Sequence, residues 1–160
     1  MSSIRAVAIA VPRRGDDVLV FEYHDSTKDE TFYRPLGGGI DFGETAEAAV
    51  RRELREELGV ELLDVRLLGV LENLFHAFGR DGHEIVFSFD CRLADRSLYE
   101  RDAVGEIRDD AGTKVMWRSL DSFDAGSPLY PAGLVELLRD EMNRSRIPLS
   151  QAVQRVELRP

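Results

Sequence analysis

Residues 38–60 read GGIDFGETAEAAVRRELREELGV, and this stretch decides the fold of the chain. It opens on glycines and continues with Ala, Leu, Glu and Arg, which are strong helix formers. Thr45–Leu58 is therefore predicted to form a helix. Gly43–Thr45 supplies a capped start, and Gly59 is a suitable residue to end the helix.

The predicted helix carries three glutamates whose spacing suits a metal. Glu53, Glu56 and Glu57 lie at i, i+3 and i+4, so they share one face. Like charges at these spacings destabilise a helix by about 0.2–0.5 kcal/mol per pair. A hard cation such as Mg²⁺ relieves this repulsion, because it binds carboxylate and phosphate oxygens. The alternative is a solvated face with ordinary ion pairs such as Glu47 with Arg51, the commoner interpretation of a short Glu-rich segment.

Gly37, Gly38 and Gly39 precede the helix and leave the backbone open to close approach. A glycine loop of this kind offers amide N–H groups to phosphate or a carbonyl to a metal. Arg52 and Glu44 are predicted to form a salt bridge that pins this loop to the helix. A direct contact of either side chain with substrate is the less favoured alternative.

Residues 38–60 resemble the Nudix box, G-x5-E-x7-R-E-U-x-E-E-x-G-U with U aliphatic, at every fixed position. The resemblance implies a Nudix hydrolase that binds Mg²⁺ or Mn²⁺. Its reaction would be water attack on phosphorus at a diphosphate (pyrophosphate) linkage in a nucleoside diphosphate derivative. Metals neutralise phosphate oxygens and lower the pKa of the attacking water.

The resemblance also implies roles for individual residues. Glu53, Glu56 and Glu57 would be the catalytic metal ligands, and the Gly37 carbonyl a further one. Glu53 is in addition a candidate for activating water. Glu44 and Arg52 would be structural, as their predicted salt bridge suggests.

A further acid from outside the box is expected to complete the metal site. Glu106 is preferred, because it follows a glycine in the polar stretch Ser97–Gly112, which is predicted to be a loop. A solvated acidic loop with no role is the alternative. Rival acids for the same position are Glu100, Asp102 and Glu84.

Substrate recognition is less well defined by the sequence. Arg34 precedes the glycines and is a candidate phosphate contact, with a plain surface arginine as the alternative. Phe75, His76 and Phe78 could stack a base, but aromatic residues at such spacing are predicted to be core. No proline lies in Glu61–Ser127, where ADP-ribose enzymes tend to carry one, and the array of NADH pyrophosphatases is absent. The substrate therefore stays open.

Two other function classes were weighed against the hydrolase. A non-hydrolytic nucleotide-binding or regulatory domain with the same fold would typically lack some box glutamates, and here all are present. An isopentenyl-diphosphate isomerase would need an active-site cysteine, and Cys91, within a predicted strand, is the single cysteine of the chain.

The rest of the chain predicts an α/β fold with a mixed β-sheet sandwiched between α-helices, an α/β/α sandwich, in a single domain of residues 1–160. Ala6–Val11 and Val18–Tyr23 are predicted to form a hairpin. A last helix is predicted to begin at Pro131, and no pattern follows Arg144. The other predicted elements are strands at Thr31–Leu36, Leu62–Leu74, His83–Leu93 and Lys114–Leu120, and the last helix is Pro131–Asn143.

The composition of the chain limits the classes of molecule that it is expected to bind. The 160 residues carry a net charge of −9, which disfavours binding to duplex nucleic acid because phosphate neutralisation needs clustered Lys and Arg. A single cysteine excludes an intramolecular disulfide. No signal-peptide pattern and no membrane-length apolar stretch are present, so a cytoplasmic protein with a small-molecule partner is expected. A homodimer is left open.

Overall fold

A computed structural model describes residues 2–146, so residue 1 and residues 147–160 of the predicted domain lie outside the described residues. The helices are α1 (Ala46–Leu58) and α2 (Leu134–Arg146). The strands are β1 (Arg5–Ala10), β2 (Arg13–Arg14), β3 (Asp17–Asp25), β4 (Glu30–Arg34), β5 (Gly37–Gly39), β6 (Leu62–Ala77), β7 (Arg80–Leu93), β8 (Ala103–Glu106) and β9 (Lys114–Ser119). Within this part of the chain, no helix is long and apolar enough to cross a membrane.

The strands form two sheets between the two helices. One sheet has the order β5-β1-β7-β6, with β1 parallel to β7; in the other, β2 and β4 both pair with β3, followed by β9 and β8. One apolar cluster joins both sheets to α1 and contains Ala8 and Leu54. A second cluster joins both sheets to α2 and contains Val7 and Leu134. The predicted α/β/α sandwich is confirmed.

The predicted hairpin between the first two long strands is wrong. β1 and β3 belong to different sheets, and β1 pairs with β5 and β7 instead. Val7–Val11 is buried at every position, so this segment needs partners on both edges and cover on both faces. β3 forms hairpins instead with the two-residue strand β2 before it, where Arg14 faces Asp17, and with β4 after it.

The polar stretch Ser97–Gly112 is not a plain loop. It contains most of a short 3₁₀ turn, Arg96–Tyr99, and then β8, which pairs with β9. Leu98, Val104 and Ile107 are buried and anchor the stretch to the core. These apolar residues are too sparse among the charged ones to produce a strand period, which is why the sequence indicated a loop.

The last helix begins at Leu134 rather than at Pro131. Gly133 has a φ of 89°, which is outside the helical region, and the Leu134 N–H donates to the Pro131 carbonyl at 3.1 Å in a turn. Pro131 therefore belongs to the turn that precedes α2.

Candidate active site

Helix α1 projects its acidic residues away from the core because its opposite face is buried. Ala49, Val50 and Leu54 have no exposed surface. The Thr45 hydroxyl accepts a hydrogen bond from the Ala48 N–H at 3.1 Å and starts the helix. Gly59 ends it with a φ of 68°, in the left-handed region that favours glycine. Packing and caps together fix the direction in which the three glutamates of the helix project.

The structure brings Arg52 and Glu44 together. The Arg52 Nε and Nη2 atoms each donate to one Glu44 carboxylate oxygen at 2.9 Å, a bidentate pair. Arg52 Nη2 also donates to the Gly39 carbonyl at 3.0 Å. The hydrogen bond from Arg52 lowers the pKa of Glu44 to about 2. Arg52 thus ties the loop before α1 both to β5 and to the helix.

Arg52 also contacts two of the three helix glutamates. Its Nη1 donates to Glu53 Oε1 at 2.9 Å and to Glu56 Oε2 at 3.3 Å. The Glu53 carboxylate lies directly against the backbone of Gly38, where a Cβ atom would be 2.4 Å from it. A larger residue at position 38 would therefore displace the Glu53 carboxylate from its present position. The three glycines form the strand β5 rather than the predicted loop.

The Glu57 carboxylate is the most strongly perturbed group of this cluster. Burial, together with the smaller effect of the charges of Glu53, Glu56 and Asp109, raises its pKa to about 8. The Gly37 N–H donates to Glu57 Oε2 at 3.1 Å, and this hydrogen bond acts to lower the pKa of Glu57. The structure thus shows the Gly37 N–H, rather than its carbonyl, in contact with the acidic cluster.

The three glutamates share one helix face, where Arg52 Nη1 binds the Glu53 and Glu56 carboxylates and the Gly37 N–H binds that of Glu57. Among residues 2–146, no three Asp, Glu, His or Cys side chains are arranged so that they could hold a metal ion together. The donor set still fits a hard divalent cation, because it offers carboxylate oxygens from adjacent turns whose repulsion a cation relieves. Binding by all three would require Glu53 and Glu56 to turn from Arg52.

The acids outside the Nudix-like motif do not gather around its glutamates as expected for Glu106. The Glu106 carboxylate is exposed and accepts a hydrogen bond from the Gly112 N–H at 3.0 Å. Asp102 pairs with Arg14 at 2.7 Å. The charge from this stretch that acts on Glu57 is that of Asp109. Asp109 was not predicted, since nothing in its sequence neighbourhood distinguishes it from the other acids nearby.

A cavity of about 1070 Å³ opens beside this cluster, lined by both sheets. Phe75 and Phe78 line it together with Phe32 from β4. The expectation that Phe75 and Phe78 are core residues is wrong, because Phe75 is only partly buried and Phe78 is 50% exposed. The Phe78 ring meets those of Tyr23 and Phe32 at centroid distances of 6.2 and 6.1 Å. The cavity therefore has an aromatic wall that solvent can reach.

Arg34 lies in the wall of this cavity and is held by a buried carboxylate. Its Nη2 donates to Glu84 Oε2 at 2.9 Å, and Arg5 lies 3.6 Å from Glu84 Oε1. Glu84, one of the rivals for the acid outside the box, is 2% exposed and is held by these two arginines instead. Two arginines flank this single carboxylate, so this part of the cavity wall is locally positive.

Tyr23 connects the cavity to the acidic cluster. Its ring lines the cavity, and its hydroxyl donates to Asp110 Oδ2 at 3.0 Å. Burial raises the pKa of Tyr23 to about 12, with further contributions from Asp110 and the Glu57 charge, while Arg34 acts to lower it. Tyr23 therefore lies within electrostatic reach of both Glu57 and Arg34, so the cavity and the acidic cluster are neighbours.

Comparison with known proteins identifies the family. The sequence matches the NUDIX domain family over residues 3–136, a range that includes every site residue described above. The chain belongs to the Nudix hydrolase family. The NAD-capped RNA hydrolase NudC of Mycobacterium tuberculosis is 37% identical over 83 residues, which make up 47% of this chain and 26% of NudC. This Nudix chain thus matches about a quarter of the length of that relative.

Solved structures agree on the Nudix fold. The MutT Nudix hydrolase from Burkholderia pseudomallei is 24% identical with a TM-score of 0.60, and the match covers 85% of this chain and 97% of that one. A Nudix hydrolase from Nitrosomonas europaea is 20% identical with a TM-score of 0.62, covering 92% and 95%. At these identities the likeness concerns the fold alone.

Cys91 does not suit the isomerase alternative. Its thiol is buried in the apolar cluster beneath α1, and burial raises its pKa to about 12. A nucleophilic or acid–base cysteine needs access and a thiolate that forms near neutral pH. The residue is part of the core of this Nudix domain.

Proposed function

We propose that this protein is a Mg²⁺- or Mn²⁺-dependent hydrolase that cleaves the diphosphate linkage of a nucleoside diphosphate derivative by water attack on phosphorus. The observation that carries the proposal is the three-glutamate face of α1, which joins the cavity through Tyr23 and Arg34. An acidic cluster beside a cavity that carries Arg34 in its wall suits a substrate whose phosphates meet metal on one side and arginine on the other.

Glu53, Glu56 and Glu57 would hold the cation, with the Gly37 carbonyl as a further ligand. When bound, the cation would neutralise phosphate oxygens and lower the pKa of water. Glu53 would serve as the base that takes the proton of the attacking water, and its packing against the Gly38 backbone would fix the position of its carboxylate.

The Glu44–Arg52 pair supports this arrangement without touching substrate. Arg52 is shared between Glu44, Glu53 and Glu56 in the structure, at 2.9 to 3.3 Å. When the cation takes the other two carboxylates, the bidentate bond to Glu44 and the bond to Gly39 would still keep the loop in place.

An acid outside the box would complete the site, and Glu106 and Asp109 are its two candidates. Glu106 lies on β8 opposite Lys114. Asp109 acts on the pKa of Glu57 through its charge. Either carboxylate would add a ligand for a second cation or orient the attacking water.

The substrate proposal rests on the cavity and on one relative. Arg34 would bind a phosphate, because its planar guanidinium is held in position by Glu84 at the cavity wall. NudC is named for hydrolysis of NAD-capped RNA. NAD contains a diphosphate bridge, so a small molecule of this class fits both the cavity and the proposed chemistry.

A panel of nucleoside diphosphate derivatives, assayed with Mg²⁺ and with Mn²⁺, tests the proposal. Glu56→Gln should lower kcat by a hundredfold or more, roughly what loss of one cation ligand produces. Glu47→Gln is the matched control on the same helix, where the carboxylate contacts Arg51 and not the cluster. Equal loss in both variants, or hydrolysis of no member of the panel, would overturn the proposal.

A further inference from the structure

Asn73 is a buried polar residue whose side-chain amide makes no hydrogen bond within residues 2–146. It is 3% exposed, yet it lines the cavity. Most buried side-chain amides find partners, because an unpaired buried polar group is destabilising. The two charged residues buried to this degree are satisfied: Asp25 accepts from Thr27 and Phe78, and Glu84 binds Arg34. The buried Ser88 hydroxyl also has no partner in the described part of the chain, but Ser88 does not line the cavity.

Asn73 occupies a position on the cavity wall where its amide can meet a ligand. Asn73 lies directly opposite Glu84 in the β6–β7 pair, and Glu84 lies opposite Arg5 in β1, so the three side chains form one row on one sheet face. Both oxygens of Glu84 already face arginines. The amide of Asn73 is thus the free hydrogen-bonding group of this row.

A stacking surface lies next to the amide on the same strand face. Phe75 is two residues beyond Asn73 and its ring covers Gly82, where a Cβ atom would be 2.2 Å from the ring. Phe78 is held by its N–H, which donates to the buried Asp25 carboxylate at 2.8 Å. Aromatic rings fixed in this way are suited to stack on a planar base.

We infer that the cavity binds a nucleobase and that Asn73 reads adenine, an inference that rests on the proposed function by naming the nucleoside of its substrate. A side-chain amide offers one acceptor and one pair of donors. The Watson–Crick edge of adenine presents one amino donor and one ring acceptor, which a single amide satisfies. Guanine, cytosine and uracil each present a third polar group, which would need a partner that the occupied Glu84 carboxylate does not supply.

Nucleoside monophosphates test this inference by calorimetry on the full-length protein, because they bind without a diphosphate linkage to cleave. AMP should bind about 10-fold more tightly than GMP, CMP or purine riboside monophosphate, which lacks the amino group. Asn73→Leu should abolish this preference. Asn143→Leu is the matched control, since Asn143 is exposed on α2.

The thermal stability of Asn73→Leu separates base reading from a structural role. An amide that is unpaired until a base binds can be replaced by Leu without loss of unfolding temperature, whereas a structural amide cannot. Equal affinity of the wild type for AMP and GMP, or an AMP preference retained in Asn73→Leu, overturns the inference. If the protein hydrolyses the diphosphate panel but shows no base preference, the adenine inference is refuted and the proposed function stands. If it selects AMP but hydrolyses no diphosphate, the proposed function is refuted and the adenine inference stands.

Discussion

The raised pKa of Glu57 predicts that removing its charge stabilises the metal-free protein. Glu57→Gln keeps the shape of the side chain and still accepts the Gly37 N–H. The carboxyl has a pKa of about 8 in the fold against an ordinary value of 4.5, so the folded state favours its neutral form. The stability that the Glu57 carboxyl contributes in its neutral form is fully present below pH 4.5 and is lost as the pH rises through about 8.

The magnitude follows from this shift. Compared with the neutral Gln of Glu57→Gln, the ionisable Glu57 lowers the free energy of unfolding by on the order of 1 kcal/mol at pH 5 and on the order of 3 kcal/mol at pH 7. For a domain of this length, 1 kcal/mol corresponds to roughly 2–4 °C in Tm. The Tm of Glu57→Gln should therefore exceed that of wild type by several degrees at pH 7 and by little at pH 5.

Calorimetric unfolding in excess chelator, at several values of pH, measures this difference. Glu47→Gln provides the control, because Glu47 is exposed and far less constrained on the same helix. Addition of Mg²⁺ should raise the Tm of wild type more than that of Glu57→Gln. A Glu57→Gln variant that is less stable than wild type at pH 7, or equally more stable at both values of pH, would refute the reasoning.

Three further substitutions probe the rest of the site. Arg52→Ala should lower both Tm and kcat, measured by unfolding and steady-state kinetics, because the loop loses its bonds to Glu44 and Gly39; unchanged Tm would contradict this role. Arg34→Lys keeps the charge but loses the planar fork, so KM should rise roughly 10-fold with a smaller change in kcat; an unaltered KM would place the phosphate elsewhere. Glu106→Gln should lower kcat at least 10-fold if this carboxylate completes the site; a wild-type rate, with the loss found in Asp109→Asn, would transfer the role to Asp109.

The local part of the site could be predicted from the sequence. Helix α1, its caps and the Arg52–Glu44 pair depend on residues within about two helical turns of one another, where spacing determines which side chains meet. The strand His83–Leu93 was also found, three residues short of its true start at Arg80. Here the sequence signal and the structure agree because the interactions are short in sequence.

The cavity could not be predicted, because it depends on pairings between distant segments. The parallel pairing of β1 with β7 brings Arg5 beside Glu84, and the β6–β7 register brings Asn73 to the same row. An alternating strand pattern indicates which residues share a face but not which strand lies alongside. For the same reason neither the burial of Glu84 between two arginines nor the influence of Asp109 on Glu57 could be predicted from the sequence.

The most direct test of the central claim is hydrolysis by metal-free protein before and after addition of Mg²⁺, followed by product mass in ¹⁸O-labelled water. The account predicts no turnover in chelator, recovery with Mg²⁺ or Mn²⁺, and one ¹⁸O atom in a phosphate of one product, since water attacks phosphorus. Undiminished turnover in excess chelator, or products without ¹⁸O on phosphate, would contradict it.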